Sequence, residues 1–203
     1  MLPGAVAVPL PEGELYLLPR FVADSEAAYL LDALSTELAW TRHRVRLFGR
    51  EHLTPRLCAW YGDPGARYAY SGQALEPLPW PPALAGLRAR LHTALGLAFN
   101  SVLCNLYRDG ADSMGWHSDD EASLGPRPVI ASLSLGATRR FALRHRARRY
   151  RSVTLALGNG DLLLMTGDTQ THWQHAVPST RRPTAPRINL TFRAVGGAAT
   201  LRK

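Results

Sequence analysis

Two stretches in the first half of the chain repeat apolar residues at the spacing of one helix face. The first begins at Asp24 or Ser25, either of which can cap a helix, and runs to about Leu38. The second begins near Pro82, because proline suits the first turn of a helix. The apolar positions are Ala27, Leu30, Leu31, Leu34 and Leu38 in the first stretch, and Leu84, Leu87, Leu91 and Leu95 in the second. We expect the second face to pack on a sheet as part of the core.

From Phe99 onward the pattern changes to short segments typical of β-strands, separated by turns that contain glycine and proline. These segments cover residues 101–107, 129–135, 140–144, 153–157, 161–166 and 187–193. Many short strands with such turns are typical of a sandwich or a jelly roll. The last segment alternates polar and apolar residues, which predicts a strand with one polar face. Its polar residues are Arg187, Asn189, Thr191 and Arg193.

Composition favours one intracellular domain. A chain of 203 residues with 46% apolar content can form one core but not two comfortable domains. Residues 1–18 lack the basic start and the uninterrupted apolar run of a signal peptide, and no apolar run reaches membrane-spanning length. Cys58 and Cys104 lack C-x-x-C spacing, so we expect no disulfide and a reducing compartment. We therefore expect no membrane partner, with a cytoplasmic location in a bacterium or a nuclear one in a eukaryote.

The charge of the chain favours a polyanionic partner. Lys and Arg number 24 against 16 Asp and Glu, which gives a net charge of +8, and every basic residue except Lys203 is an arginine. Residues 139–151 contain seven arginines and no acidic residue. Such a run can follow the phosphates of a nucleic acid. The alternative is a basic surface loop in a proteome that uses arginine in place of lysine.

Three residues have the chemistry of an iron site. His117 and Asp119 are two positions apart, so in an extended strand both side chains point to the same side. His175 follows the apolar run at 162–165, which predicts a buried strand, and a short polar loop. Two imidazoles and one carboxylate on one face of iron(II) leave positions open for a cosubstrate and oxygen. The alternative for His117 and Asp119 is an ordinary surface pair.

The polar face of the 187–193 strand has the chemistry of an acid-binding site. Guanidinium groups bind carboxylates with two parallel hydrogen bonds, and Arg187 and Arg193 lie on the same face of the strand. This pattern suits a dicarboxylate such as 2-oxoglutarate. The alternative is a solvated outer face.

Taken together, these residues resemble the AlkB family of iron(II)- and 2-oxoglutarate-dependent dioxygenases over roughly residues 20–195. The motifs that carry the resemblance are Asn-Leu-Tyr-Arg-Asp-Gly at 105–110, Trp-His-Ser-Asp-Asp-Glu at 116–121, Ala-Ser-Leu-Ser-Leu-Gly-Ala at 131–137, His-Trp-Gln-His at 172–175 and the strand at 186–193. Their order and spacing fit the family.

The resemblance implies a single α+β, mainly β domain over residues 1–203, with a double-stranded β-helix (jelly roll) core at about 99–195. N-terminal helices and a nucleotide-recognition lid at about 40–80 complete the expected fold. Fe(II) would be held by the catalytic residues His117, Asp119 and His175, with His172 as a bystander. The cosubstrates would be 2-oxoglutarate and O2, and the 2-oxoglutarate contacts would be Asn105, Tyr107, Arg187, Asn189, Thr191 and Arg193.

The lid range contains candidate substrate residues. Phe48 lies in an apolar tip between arginines, and it resembles the hydrophobic finger with which some family members fill the gap left by an extruded base in duplex DNA. The alternative is a hairpin tip that packs on its own domain. Arg56 is expected to touch the nucleic acid backbone. Tyr68 and Tyr70 lie on one side of a predicted strand, and by resemblance they form the pocket for the extruded base.

Asp120 and Glu121 are expected to read the exocyclic amine of the base and to offset the positive charge of a methylated adenine or cytosine. The alternative for either residue is a solvated loop charge.

The expected function is oxidative demethylation of 1-methyladenine and 3-methylcytosine in single- or double-stranded DNA, with RNA possible as a substrate. The reaction would release formaldehyde, succinate and CO2, and the enzyme would act as a monomer. The alternatives are an oxygenase of the same type acting on RNA, a protein or a small molecule, and a nucleic-acid-binding module without chemistry.

Overall fold

A computed structural model describes residues 4–42, 44–47, 50–66, 68–70, 73–182 and 184–196. Its helices are α1 (Asp24–Glu37), α2 (Pro82–Leu95) and the single turn α3 (Thr169–His172), with a short 3-10 helix at Ala122–Leu124. The strands in chain order are β1 (Val6–Val8), β2 (Glu14–Leu18), β3 (Arg44–Leu47), β4 (Arg50–Leu53), β5 (Leu57–Gly62), β6 (Tyr68–Tyr70), β7 (Gln73–Leu75), β8 (Ser101–Tyr107), β9 (Met114–His117), β10 (Ile130–Gly136), β11 (Arg139–His145), β12 (Val153–Leu157), β13 (Leu162–Thr166), β14 (Trp173–Val177) and β15 (Arg187–Arg193).

Two antiparallel sheets form the body of the protein. The large sheet has seven strands in the order β1-β2-β13-β10-β15-β8-β5, and the small sheet has four in the order β12-β11-β14-β9. The hairpins β3-β4 and β6-β7 stand apart as two-stranded sheets. This architecture confirms the predicted mainly β jelly roll with N-terminal helices. Three strands of the large sheet, β1, β2 and β5, lie outside residues 99–195, and β5 comes from the range expected for the lid.

The two faces of the large sheet bury two apolar clusters. On one face, the leucines of α1 and α2 pack against alternate residues of the strands, such as Ile188, Leu190 and Phe192 of β15. On the other face, a second cluster that includes Leu103, Phe141 and Trp173 fills the space between the sheets. The alternation predicted for β15 therefore turns its apolar residues towards the helices. Its polar residues enter the space between the sheets, where several line a cavity together with residues of the small sheet.

Both predicted helices are present, but the start of α1 differs in detail. Ala23 is the N-cap residue and makes no side-chain capping hydrogen bond, so the predicted cap at Asp24 or Ser25 is wrong. Asp24 lies in the first turn of α1, where a carboxylate interacts favourably with the helix dipole. Within the ranges described above, no helix is long and apolar enough to cross a membrane.

Candidate active site

His117, Asp119 and His175 converge between the two sheets. His117 ends β9, and the pairing of β9 with β14 sets it opposite His175. The two ring centroids are 4.2 Å apart, and one ligand atom from each of the three residues lies within 4.8 Å of the others. Phe141 of β11 stacks on the His175 ring at a centroid distance of 5.2 Å. Asp119 is only 1% exposed, so the alternative of a surface pair is wrong.

Backbone and side-chain hydrogen bonds orient this triad. The ring Nδ1 of His117 donates to the carbonyl of Gly115 at 2.9 Å, which leaves its Nε2 lone pair available for a metal. The backbone N–H of Asp119 donates to Oε1 of Gln170 at 2.9 Å and so fixes the turn just beyond β9. Ser118 turns the other way and donates to the carbonyl of Trp173. The predicted alternation across residues 117–119 is therefore observed.

The surroundings hold the triad in the protonation states that metal binding requires. Burial, together with the neighbouring His117, lowers the pKa of His175 to about 3. Burial also lowers the pKa of His117. For Asp119 burial acts to raise the pKa, but Arg193 and the two histidines outweigh it, so the pKa lies below its ordinary value. At neutral pH both imidazoles are uncharged and the carboxylate is ionised.

The carboxylate of Asp119 has one oxygen engaged and one available. Nη2 of Arg193 donates to Oδ1 at 2.5 Å, whereas Oδ2 is buried without a hydrogen-bond partner among the described residues. Nε2 of His175 lies 3.9 Å from Oδ2. Because the pKa of His175 is about 3, this ring is uncharged at neutral pH and forms no ion pair with the carboxylate. An anionic oxygen next to two imidazole nitrogens fits a divalent metal with two histidine ligands and one carboxylate ligand, such as Fe(II).

The polar face of β15 lies directly beside the triad and is buried. Nδ2 of Asn189 donates to Oγ of Ser132 at 2.8 Å, and Oγ1 of Thr191 donates to Oδ1 of Asn189 at 3.0 Å. Asn105 of β8 accepts a hydrogen bond at its Oδ1 from Nε of Arg56 at 2.7 Å. All seven residues of β15 are buried, so the alternative of a solvated outer face is wrong.

Arg187 is a buried cation with unused hydrogen-bonding capacity. It is 1% exposed, and its Nη2 donates to Oγ of Ser134 at 2.9 Å. Nε and Nη1 have no hydrogen-bond partner in the described part of the chain. Burial lowers the pKa of this guanidinium. Its central carbon lies 5.2 Å from the ring centroid of Tyr107, a residue that lines the cavity. Two unpartnered donors on a buried arginine fit a carboxylate group.

A cavity of about 450 Å³ connects these features. Its lining includes the triad, Asn105, Tyr107, Asn189, Thr191 and Arg193, together with the segment 53–56 that follows the β3-β4 hairpin. This volume lies within the range typical of small-molecule and cofactor sites. The structure thus brings together the predicted metal ligands and five of the six predicted 2-oxoglutarate contacts around one space, with Arg187 behind Tyr107.

The predicted substrate residues fall in different places. Arg56 is 2% exposed and lines the cavity with its Nε bound to Asn105. Its contact with a nucleic acid backbone stays a prediction. Glu121 lines the cavity. Asp120 is not among the lining residues, and its carboxylate pairs with Nη2 of Arg146. Phe48 and the side chains of Tyr68 and Tyr70 lie outside the described residues.

Several residues that shape the site were not singled out from the sequence. Ser132 and Ser134 of β10 bind Asn189 and Arg187, and Gln170 of α3 holds the backbone of Asp119. A signal for the serines was present, because they alternate with apolar residues at 131–135 and so occupy one face of a strand. Gln170 lies in the single turn α3, which is too short for a periodic pattern to identify it.

A second group of possible metal ligands is already satisfied internally. Nδ1 of His145 accepts a hydrogen bond from the backbone N–H of Ala147 at 3.2 Å, so its Nε2 carries the proton and donates to Oε2 of Glu12 at 2.8 Å. Arg149 lies 3.6 Å from the other oxygen of Glu12. His172, expected to be a bystander, lies 3.9 Å from Oε2 of Glu12. A protonated Nε2 and an adjacent guanidinium make this group an internal ion-pair network.

Comparisons with known proteins agree with this geometry. Residues 14–193 match the model of the 2OG-Fe(II) oxygenase superfamily. The human protein "Alpha-ketoglutarate-dependent dioxygenase alkB homolog 3" is 45% identical over 191 residues, which cover 88% of this chain and 65% of the relative. The mouse protein "DNA oxidative demethylase ALKBH2" is 44% identical over 179 residues, which cover 85% of this chain and 72% of the relative.

A solved structure described as "The structure of OsALKBH1" superposes with a TM-score of 0.65 and covers 93% of this chain and all of that one. Its sequence identity is 18%, so the likeness is one of fold. The chain spans slightly less than two thirds of the human relative's length.

Proposed function

Because the chain belongs to the AlkB family of Fe(II)- and 2-oxoglutarate-dependent oxygenases, we propose that it demethylates N-alkylated bases of the 1-methyladenine and 3-methylcytosine type in DNA. The observation that carries this proposal is the cavity in which a buried His-Asp-His triad lies beside a buried, arginine-bearing polar strand. Two relatives that match most of this chain bear names that describe a 2-oxoglutarate-dependent dioxygenase and a DNA oxidative demethylase.

In the proposed reaction His117, Asp119 and His175 would hold Fe(II) through Nε2 of His117, a ring nitrogen of His175 and an Asp119 oxygen. With O2, bound iron and 2-oxoglutarate supply the oxidation of the N-methyl carbon to a hydroxymethyl group, with release of succinate and CO2. The hydroxymethyl group then leaves the base nitrogen as formaldehyde, and the unmodified base is restored.

The residues of this chain bind, orient and shield the reactants. Arg187 would offer Nε and Nη1 to one carboxylate of 2-oxoglutarate, because these donors are buried and have no hydrogen-bond partner among the described residues. Asn105, Tyr107, Asn189 and Thr191 line the cavity, and Arg187 lies next to Tyr107. Arg193 keeps the Asp119 carboxylate ionised and limits its rotation through the 2.5 Å hydrogen bond.

The lesion itself would be recognised at the open side of the cavity. Glu121 lines the cavity and would offset the positive charge of a methylated adenine or cytosine. Phe48 would fill the gap left by the extruded base in a duplex, and Tyr68 and Tyr70 would contact the base. These three roles rest on the resemblance of residues 45–50 and 68–72 to the family.

The first test is repair of a defined lesion. The protein loaded with Fe(II) and 2-oxoglutarate is incubated with matched single- and double-stranded DNA, each with one 3-methylcytosine, and the bases are quantified by mass spectrometry. We expect 2-oxoglutarate-dependent loss of 3-methylcytosine with stoichiometric formaldehyde. Matched RNA strands serve as the comparison. Consumption of 2-oxoglutarate without repair of any strand would contradict the proposal and favour an oxygenase that acts on a protein or a small molecule.

A further inference from the structure

An exposed tryptophan lies at the rim of the cavity. Trp116 of β9 is 40% exposed and belongs to the residues that line the cavity. It directly precedes His117, and because side chains alternate along a strand, His117 faces the space between the sheets while Trp116 faces the outer surface of the small sheet. Leu53, another rim residue, comes from the opposite side and is also exposed. Large apolar side chains at the mouth of a site mark a surface that a ligand covers.

One face of the Trp116 ring is held in place by the protein. The guanidinium carbon of Arg144 lies 4.3 Å from the centroid of the Trp116 ring, and Nε of Arg144 donates to Oε1 of Gln174 at 3.0 Å. Arg144 and Gln174 are paired across β11 and β14, so two strands support the arrangement. The arginine covers one face of the indole, and Trp116 remains 40% exposed. We refer to Trp116, Arg144 and Gln174 as the Trp116 shelf.

The surroundings of the shelf are positively charged. The four strands of the small sheet, all within the described part of the chain, contain no Asp or Glu. Arg140 is exposed on β11, on the same face as Arg144, and Arg148 and Arg151 are exposed beyond it. The carboxylates of Asp120 and Glu12 are already engaged, since Asp120 pairs with Arg146, and Glu12 contacts His145 and Arg149. The exposed arginines give this surface a positive charge that suits phosphates.

We propose that the Trp116 shelf stacks the nucleobase next to the lesion in a single-stranded substrate, an inference that rests on the proposed function. An exposed indole, backed by a guanidinium and surrounded by arginines, has the features of a stacking platform for single-stranded nucleic acid. Only a base with an unoccupied face can stack there. In a duplex each neighbour of an extruded base stays paired and stacked on its other side, and Phe48 would fill the gap between the two neighbours, so the shelf favours single strands.

The proposal distinguishes the arginines of this surface by role. Arg139, the first of the run, is buried and donates to the carbonyls of Asp109, Asp112 and Pro178, so it is structural. Arg144 positions the indole, and the exposed arginines beyond it provide the charge.

The test compares Trp116→Ala and Trp116→Phe with wild type. Tyr29→Ala is the matched control, because Tyr29 is an aromatic residue of α1 that is 70% exposed and does not line the cavity. The substrates are single-stranded oligonucleotides with one 3-methylcytosine whose neighbour is a normal base or an abasic site, on the 5′ or the 3′ side in turn. Repair gives kcat and KM, and fluorescence anisotropy with Mn(II) and 2-oxoglutarate gives Kd without turnover.

We expect Trp116→Ala to raise KM and Kd about tenfold on the strand with normal neighbours, with little change in kcat. Trp116→Phe should keep most of the affinity, and Tyr29→Ala all of it. An abasic site on one side of the lesion, but not on the other, should raise the KM and Kd of wild type by a similar factor. The same abasic site should hardly change the KM and Kd of Trp116→Ala. Duplex substrates should be less sensitive to Trp116→Ala.

Two results would contradict the proposed stacking role of the Trp116 shelf. Equal KM and Kd for wild type and Trp116→Ala would exclude stacking, and an equal loss on normal and abasic strands would assign Trp116 a merely structural role. If no strand is repaired but Kd still depends on Trp116 and on one neighbour, the proposed function fails while the shelf remains a nucleic-acid-binding surface. If repair proceeds without dependence on Trp116, the proposed function stands and the stacking role of the Trp116 shelf fails.

Discussion

Three features of its surroundings hold the buried carboxylate of Asp119 in its charged form and in a fixed position. It is compensated by Arg193, its backbone is fixed by Gln170, and its second oxygen faces two neutral imidazoles. Burying a carboxylate without such partners would raise its pKa and neutralise it. Arg187 presents the opposite case, a buried cation with two donors left for a ligand. The site therefore contains a buried anion and a buried cation, which in the proposed function would bind a metal and a carboxylate.

Replacing Asp119 with Ala should abolish turnover while nucleic acid binding remains. The variant lacks one of three metal ligands, so we expect repair to fall by more than about a hundredfold. The arginines at the surface are unchanged, so Kd for an oligonucleotide should stay within about twofold of wild type. The control is Asp168→Ala, which removes an exposed carboxylate near α3. Turnover by Asp119→Ala near the wild-type rate would refute the ligand assignment.

Replacing Arg187 with Lys should weaken 2-oxoglutarate binding specifically. Lysine keeps the charge but loses the planar fork that binds a carboxylate with two hydrogen bonds. We expect the KM for 2-oxoglutarate to rise about tenfold to a hundredfold, measured as succinate formed across a 2-oxoglutarate titration. The KM for the oligonucleotide should not change. Arg90→Lys on α2 is the control, and an unchanged 2-oxoglutarate KM in Arg187→Lys would place the carboxylate elsewhere.

At the scale of elements, apolar and polar residues alternate along single strands, so that one face of a strand belongs to the core beneath the helices and the other face belongs to the site. In β15 the apolar residues pack against α1 and α2, and the polar ones face the small sheet. β10 repeats this arrangement with Ser132 and Ser134. The turns between strands must then hold the layers together. The Cβ of an alanine at Gly160, in the turn between β12 and β13, would lie 2.0 Å from the carbonyl oxygen of Val22.

Two glycine substitutions should change stability in opposite directions. Gly160 has a φ of +76°, and both this conformation and the close approach of Val22 exclude a side chain. We expect Gly160→Ala to lower the free energy of unfolding by about 2 kcal/mol or more. Gly86 lies inside α2 with open space around it, so Gly86→Ala should raise stability by about 0.5–1 kcal/mol. Urea titrations followed by circular dichroism measure both, and similar values for the two variants would contradict this account.

For the molecule as a whole, the site lies where the two sheets and the segment after the β3-β4 hairpin meet. β8 and β15 of the large sheet, β9 and β14 of the small sheet, and residues 53–56 all contribute to one cavity. Ligands that bridge these parts bind the folded chain and have no comparable site in the unfolded chain. Folding and ligand binding are therefore coupled.

Mn(II) together with 2-oxoglutarate should raise the melting temperature. At ligand concentrations about a hundredfold above Kd the gain is roughly 2.7 kcal/mol, which corresponds to about 5–10 °C for a chain of this size. Differential scanning fluorimetry with each ligand alone and with both measures it. Asp119→Ala should lose the response to Mn(II), whereas Asp168→Ala should keep it. No shift at any concentration would contradict a site built from the triad and Arg187.

The sequence by itself determined the local features of this protein. The leucines of α1 and α2, the shared face of His117 and Asp119, the polar face of β15 and six of the strands from Ser101 onward follow from spacing along the chain. The strands that carry the two histidine ligands, β9 and β14, were not among the predicted segments. Such patterns are set by neighbouring residues, because the helical and extended backbones each repeat over a few positions. The resemblance of these motifs to the AlkB family then indicated the chemistry.

Only the tertiary structure decided which distant residues meet. The register of β9 against β14 sets His117 opposite His175, and the packing of the layers buries Arg56 against Asn105. Contacts across the sheets also direct Asp120 to Arg146, away from the cavity. Arg144 of β11 contacts Trp116 of β9 across β14, which lies between these two strands in the small sheet. None of these partners is fixed by local spacing, because pairing across a sheet and packing between layers depend on the whole chain finding one arrangement.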